Sequence, residues 1–138
     1  MVMKKDDCIF CKIAAGEIPS KTIYEDDLFR VILDLGPATK GHAIILPKDH
    51  YKNLYELPDE TAAKVMKLAK KMAIQMTDKL GADGFNLVQN NNEVAGQTVF
   101  HFHMHLIPRY HDDGQAINWV PGKPSAEELT EIKKTITE

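Results

Sequence analysis

His101, His103 and His105 alternate with Phe102, Met104 and Leu106, and Ile107 closes the run. No other stretch limits its own conformation so tightly. Strict polar/apolar alternation is the period of an extended strand, whose successive side chains leave opposite faces. It predicts a strand over residues 102–108 with its apolar side set into a core. The imidazoles then share the other side, roughly 6–7 Å apart. Half of the chain's six histidines fall in this row, which is hard to reconcile with incidental core or surface positions. Histidine titrates near neutrality and is a competent nucleophile. His-x-His is also a chelate, suited to zinc, copper or iron. The row alone leaves both chemistries open.

The rest of the chain supplies the core for such a strand. Residues 58–80 carry apolar side chains at helical spacing: Ala62, Val65, Met66, Ala69, Met72, Ala73, Met76 and Leu80. Lysines 64, 67, 70, 71 and 79 mostly take the opposite, solvated face. Pro58 suits the first turn and Gly81 the exit. Residues 24–25 and 28–34 read as a hairpin turning at Asp26-Asp27, 42–46 as a buried strand ended by Pro47, and 85–89 as another strand. Residues 7–15 read as a short helix opened by Asp6 or Asp7 and stopped by Gly16. Residues 125–136 read as a terminal helix capped by Ser125 with Glu128 three residues on. The sum is an α+β domain: about five mostly antiparallel strands packed with one long helix and short terminal helices.

At 138 residues the chain predicts one domain, long enough for a core without disulfides. A net charge of −3 gives no electrostatic case for nucleic acid polymers. Its apolar runs are too short to span a membrane, and residues 1–7 hold no apolar signal segment. The expected location is the cytoplasm, where thiols stay reduced.

Two further features carry chemistry. The loop of residues 90–98, Asn-Asn-Asn-Glu-Val-Ala-Gly-Gln-Thr, offers amides, a hydroxyl and a glycine beside the imidazoles. Its backbone N–H groups can form an anion nest, which suits a phosphate. Cys8 and Cys11 are three apart, so on a helix both thiols face one way and can chelate one ion. A redox pair and two buried core cysteines are the other readings of that spacing.

The chain resembles the histidine triad family of nucleotide-binding hydrolases and transferases. The pattern His-φ-His-φ-His-φ-φ, with φ apolar, is met in full by residues 101–107. The resemblance extends over about residues 7–109, through DCIFCKIAAGEIP, Tyr24-Glu25-Asp26-Asp27, Gly41-His42 and Gly96-Gln97-Thr98. The tail, residues 110–138, matches poorly. The resemblance implies that His103 is the nucleophile on the α-phosphate of a purine nucleotide, and that His105 contacts phosphate oxygens or the leaving group. It implies that Asn90, Gly96, Gln97 and Thr98 hold the phosphate, and that Asp34 binds the ribose hydroxyls. Ile9, Phe10, Ile13, Ile18 and Leu35 would line the base pocket, and His42 would support the triad. Members with this N-terminal Cys-x-x-Cys resemble zinc-bearing relatives, which implies one structural Zn2+ on Cys8, Cys11, His50 and His101. The family implies a homodimer.

Two other functions fit the same residues: a nucleotide-sensing binding module with weak catalysis, and a metal-dependent hydrolase using the triad as ligands. After the triad the chain runs Pro108-Arg109-Tyr110, where the phosphoramidase-like branch has Gly-Gly. Gln97-Thr98 and Pro-Arg resemble the dinucleoside polyphosphate branch, so the substrate branch stays open. Trp119, in the tail, either covers the base pocket across a dimer or simply packs, and packing is the expectation.

Overall fold

The computed structural model describes residues 5–138. Helix α1 (Ile9–Ala14) is followed by strands β1 (Thr22–Glu25), β2 (Phe29–Leu33) and β3 (Ala43–Pro47). The long helix α2 (Asp59–Leu80), strands β4 (Gly84–Val88) and β5 (Met104–Arg109) and helix α3 (Ala126–Thr137) complete the chain. The five strands form one sheet in the order β1-β2-β3-β5-β4, and every neighbouring pair is antiparallel. β5 is therefore inserted between β3 and β4. That places the histidine segment on an interior strand, paired on both sides.

The two faces of the sheet have different partners. Val31, Ala43, Ile45, Met104 and Leu106 pack with Val65, Leu68, Ala69, Met72 and Met76 of α2. Burying each such side chain contributes about 1.5–3 kcal/mol. Ile32, Ile44 and Leu46 point the other way and pack with Ala14, Phe10 and Ile13 of α1. Ile44 stands opposite His105, so His105 shares the α1 face. The alternation Phe102/Met104/Leu106 against the histidines thus sorts the segment between α2 and α1.

Several local features depart from expectation. β5 begins at Met104, leaving His101, in a bend, and His103 in irregular backbone before the ladder. There, Phe102 donates its N–H to the Tyr51 carbonyl. The His101 carbonyl is used by the His103 ring, at 2.8 Å. Helix α1 is capped by Cys8, whose Sγ accepts the Cys11 N–H at 3.2 Å, and not by Asp6 or Asp7. In α2, Leu68 is buried and Met66 is exposed. Leu68 lies on the stripe through Val65, Ala69, Met72 and Met76, whereas Met66 lies one residue around the helix from it. Gly81 closes α2 at φ 69°, a left-handed position that favours glycine. The capping box of Ser125 and Glu128 forms as expected. Trp119, expected to pack, is 83% exposed, because the tail makes no core contact with its own chain. No helix among the described residues is long and apolar enough to cross a membrane.

Candidate active site and metal centre

The three histidines divide their work through the nitrogens they commit. His101 is fully buried. Its Nε2 lies 2.8 Å from the Pro47 carbonyl, which can only accept, so in the neutral ring Nε2 carries the proton. Nδ1 is then a lone pair. It lies 3.4 Å from Cys8 Sγ and 3.3 Å from Cys11 Sγ, and Cys11 Sγ is 3.3 Å from His50 Nδ1. The ligand atoms of Cys8, Cys11, His50 and His101 all lie within 4.8 Å of one another. A tetrahedral Cys2His2 centre has ligand–ligand edges of about 3.5 Å, as follows from its metal–ligand distances. The donor set, its spacing and the carbonyl behind His101 fit a closed structural metal site.

His103 Nδ1 donates to the His101 carbonyl. Nε2 is therefore its unprotonated nitrogen. The ring stands edge-on to Phe10, with centroids 4.9 Å apart, and to His105, at 5.1 Å. Burial lowers its pKa, against the opposing pull of the His101 carbonyl, so the ring is held neutral.

His105 is oriented by a neighbour that directly precedes the adjacent strand β3. The Ala38 N–H donates to His42 Nδ1 at 2.9 Å. This places the His42 proton on Nε2, 2.9 Å from His105 Nδ1. His105 accepts there and keeps its own proton on Nε2. Burial, with His103 and His42 beside it, pushes the His105 pKa down to about 4, although Asp34 opposes the shift. Burial also lowers that of His42, again against Asp34. Asp34 Oδ2 sits 3.5 Å from His42 Nε2, and its Oδ1 accepts the Gly36 N–H at 2.8 Å. Asp34, His42 and His105 also cluster at metal-binding range. The amide on His42 Nδ1 and the direct ring-to-ring bond instead favour a hydrogen-bond relay.

A cavity of about 390 Å³ opens over this face. It brings together Ile9, Phe10, Ile13, Ile18, Asp34, Leu35, Thr98, His103 and His105. His42 lies behind His105 and not on the wall. Gln97 is not on the wall either. It is 2% exposed, its amide donates to the Lys52 and Val99 carbonyls, and its oxygen accepts the Asn92 N–H. Those bonds make it a brace of the loop, where a phosphate contact was expected. Asn90 and Gly96 also lie outside the cavity lining. Gly96 has φ 100°, and a Cβ there would come within 3.3 Å of the Asn90 amide. A glycine is therefore needed for the loop to close on Asn90.

Residues 15–112 fit the model of the HIT domain. The chain belongs to the HIT family. An adenosine 5′-monophosphoramidase of Schizosaccharomyces pombe is 37% identical over 94% of this chain and 96% of its own. A crystal structure from Streptococcus mutans covers 99% of this chain and 87% of its own, with 41% identity and a TM-score of 0.93. A zinc-bound histidine triad family protein from Mycobacterium smegmatis covers 94% and 97%, with 34% identity and a TM-score of 0.77. The HIT fold here also lines the cavity with Ser20, Lys21, Ile32, Ile44 and Val99, which the sequence did not single out. Ile32 and Ile44 lie among apolar neighbours in β2 and β3 and read as core. Lys21 is the sole cation among the described lining residues, and its only sequence signal was its place after Pro19-Ser20.

Proposed function

We propose that the chain is a nucleotide hydrolase or nucleotidyl transferase that cleaves nucleoside 5′-phosphoryl compounds at the α-phosphate, with His103 as nucleophile. The observation that carries this reading is the His103 Nδ1–H bond to the His101 carbonyl. It leaves Nε2 as an unprotonated nitrogen on a residue of the cavity wall. A neutral nitrogen avoids the repulsion that an oxyanion would meet at a phosphate, and a covalent intermediate splits one hard step into two. The bond from His103 Nε2 to phosphorus forms as the bond to the leaving group breaks, and the electron pair departs with that group. Water then attacks the same phosphorus and frees the histidine. Over the cycle, water gives its hydroxyl to phosphorus and its proton to the leaving group.

The other residues take supporting roles. His105 donates Nε2–H to a phosphoryl oxygen or the bridging atom, where charge develops. His42 holds His105 in that tautomer. Thr98, on the cavity wall, holds the phosphate, and Asn90 and Gly96 shape the loop that presents it. Asp34 binds the ribose hydroxyls, and Ile9, Phe10, Ile13, Ile18 and Leu35 enclose a purine. The Cys8, Cys11, His50 and His101 set holds one Zn2+, whose contribution is structural: it ties the N-terminus to the segment carrying His103. The protein acts as a homodimer in the cytoplasm.

The HIT-family relative from fission yeast bears a phosphoramidase name, which favours adenosine phosphoramidates over dinucleoside polyphosphates as the first substrates to assay. Turnover of both classes by wild type and His103→Ala is the test. Loss of turnover with nucleotide affinity retained supports the reading. Tight nucleotide binding with no turnover of either class by wild type would favour the sensing module instead.

A further inference from the structure

The run Pro108-Arg109-Tyr110, which continues the chain past the histidine row, has no place in the reaction described above. Pro108 and Arg109 close β5, and none of the three lines the cavity. Arg109 instead builds a clasp with residues 113–115. Its guanidinium meets the Asp113 carboxylate along two bonds, Nε to Oδ2 at 2.8 Å and Nη2 to Oδ1 at 3.0 Å. Nη1 donates to Asn86 Oδ1 at 2.9 Å. A planar fork of this kind is open to arginine and not to lysine. It holds the Asp113 carboxyl well below the usual carboxylate range, so the pair stays charged at neutral pH. Nη2 also donates to the Gln115 carbonyl at 2.7 Å, and Asp113 accepts the Gln115 N–H at 3.0 Å. The fork thus fixes the N–H and the carbonyl of Gln115.

The clasp acts on residues 38–41, which lead into His42 and β3. Gln115 Nε2 donates to the Ala38 carbonyl at 2.9 Å. The Tyr110 hydroxyl donates to the Lys40 carbonyl at 2.7 Å, and the Thr39 hydroxyl donates to the Pro108 carbonyl at 2.6 Å. Residues 38–41 belong to no strand or helix, so these bonds hold them in place. Their link to the site is the Ala38 N–H on His42 Nδ1, the donor that puts the His42 proton on Nε2 and so sets His105. Of the three bonds, only that from Gln115 is made to Ala38 itself. Gln115 lies 77 residues from Ala38 in the chain and is not on the cavity wall.

We propose that Gln115 is a positioning residue: through the Ala38 carbonyl it keeps the Ala38 N–H on His42 Nδ1 and so sets the His42–His105 relay from outside the cavity. The Arg109–Asp113 fork is its mount. The effect on rate rests on the roles proposed above for His103 and His105; the effect on tautomer rests on the hydrogen-bond chain alone. Without the Gln115 donor the Ala38 backbone can turn. Its N–H then leaves His42 Nδ1, the His42 proton divides between the two ring nitrogens, and His105 loses a fixed donor.

Gln115→Ala and Gln115→Glu in the full-length protein are the test. Both delete the donor, and Gln115→Glu keeps the length of the side chain. Gln115 is exposed, and a substitution at such a position changes stability little. Long-range 1H–15N spectra of the imidazoles read the tautomers with no substrate present. Wild type should show His42 protonated at Nε2 alone, and both variants should mix the two tautomers. The Ala38 amide should exchange about 2- to 10-fold faster in the variants, the scale of one hydrogen bond, with amides within β3 unchanged. Unshifted tautomers, or exchange that rises equally through β3, would overturn the proposal. On an adenosine phosphoramidate, kcat should fall about 2- to 10-fold at steady KM. Gln115→Ala should add nothing to His42→Ala, because the ring that carries the effect is gone. Losses that add in the double variant, or a rise in KM at unchanged kcat, also overturn it. Wild type without turnover would instead remove the reading of His103, and the tautomer spectra would still decide the role of Gln115.

Discussion

His42 Nε2 lies 2.9 Å from His105 Nδ1, and the Ala38 amide on the far side of His42 decides which ring donates. A backbone N–H thereby sets, through the one intervening ring of His42, the tautomer of a cavity histidine. The bond costs nothing to reorganise during reaction, because both rings are neutral and already aligned.

Removing His42 should therefore act on rate. His42→Ala frees His105 to rotate and to take the other tautomer. A lost buried hydrogen bond is worth about 1–3 kcal/mol, so kcat should fall about 5- to 150-fold, with KM changed much less. Steady-state kinetics on an adenosine phosphoramidate reads this. A rise in KM at unchanged kcat would assign His42 to binding instead.

The burial of His105 has a sign in stability. Its folded pKa is about 4, below the ordinary 6.5 of histidine. Between those values the unfolded chain binds more protons than the folded one, so stability rises with pH from about 4 to 6.5 and is level above. The groups facing His105 are His42, His103 and Asp34. Thermal melts at pH 5 and 7.5 should show a larger acid-side loss in wild type than in His105→Asn. Equal losses would mean that His105 is not held neutral by its surroundings.

One metal ion per chain is expected, because a Cys2His2 set is filled by one tetrahedral ion. Chelation, or Cys8→Ser with Cys11→Ser, should lower Tm, since structural zinc contributes to folding free energy. Residual turnover at low temperature should survive, because His103 is not a ligand. Elemental analysis and melting curves check both. Protein purified without metal whose Tm is indifferent to added zinc would return the cysteines to the core.

Gln97 should report on folding more than on phosphate. Its side chain makes three hydrogen bonds to backbone groups in a site 2% exposed. Gln97→Ala should cost about 1–3 kcal/mol in urea unfolding. A variant of unchanged stability with weakened nucleotide binding would restore the phosphate role.

The histidine row was legible because period-two alternation allows one geometry, and it correctly divided Phe102, Met104 and Leu106 from the imidazoles. The start of β5 was not legible, because side-chain capture of the His101 carbonyl by His103 leaves no trace in hydropathy. The cysteine pair was readable as a chelate by spacing. Its partners His50 and His101 lie 39 and 90 residues beyond Cys11, and only a family resemblance could join them. Ile44 serves as both core and cavity wall, a double role that an all-apolar strand conceals. Trp119 shows the converse limit: an aromatic residue predicts burial without naming the surface that buries it.

The central claim is that His103 Nε2 takes the nucleotidyl group. Rapid acid-free quenching of wild-type protein mixed with an adenosine phosphoramidate, followed by peptide mass spectrometry, measures it directly. An adenylyl adduct on His103, absent from His103→Ala and lost with time as water resolves it, is the expected result. Full turnover of the same substrate by His103→Ala, or an adduct on another side chain in wild type, would contradict the account.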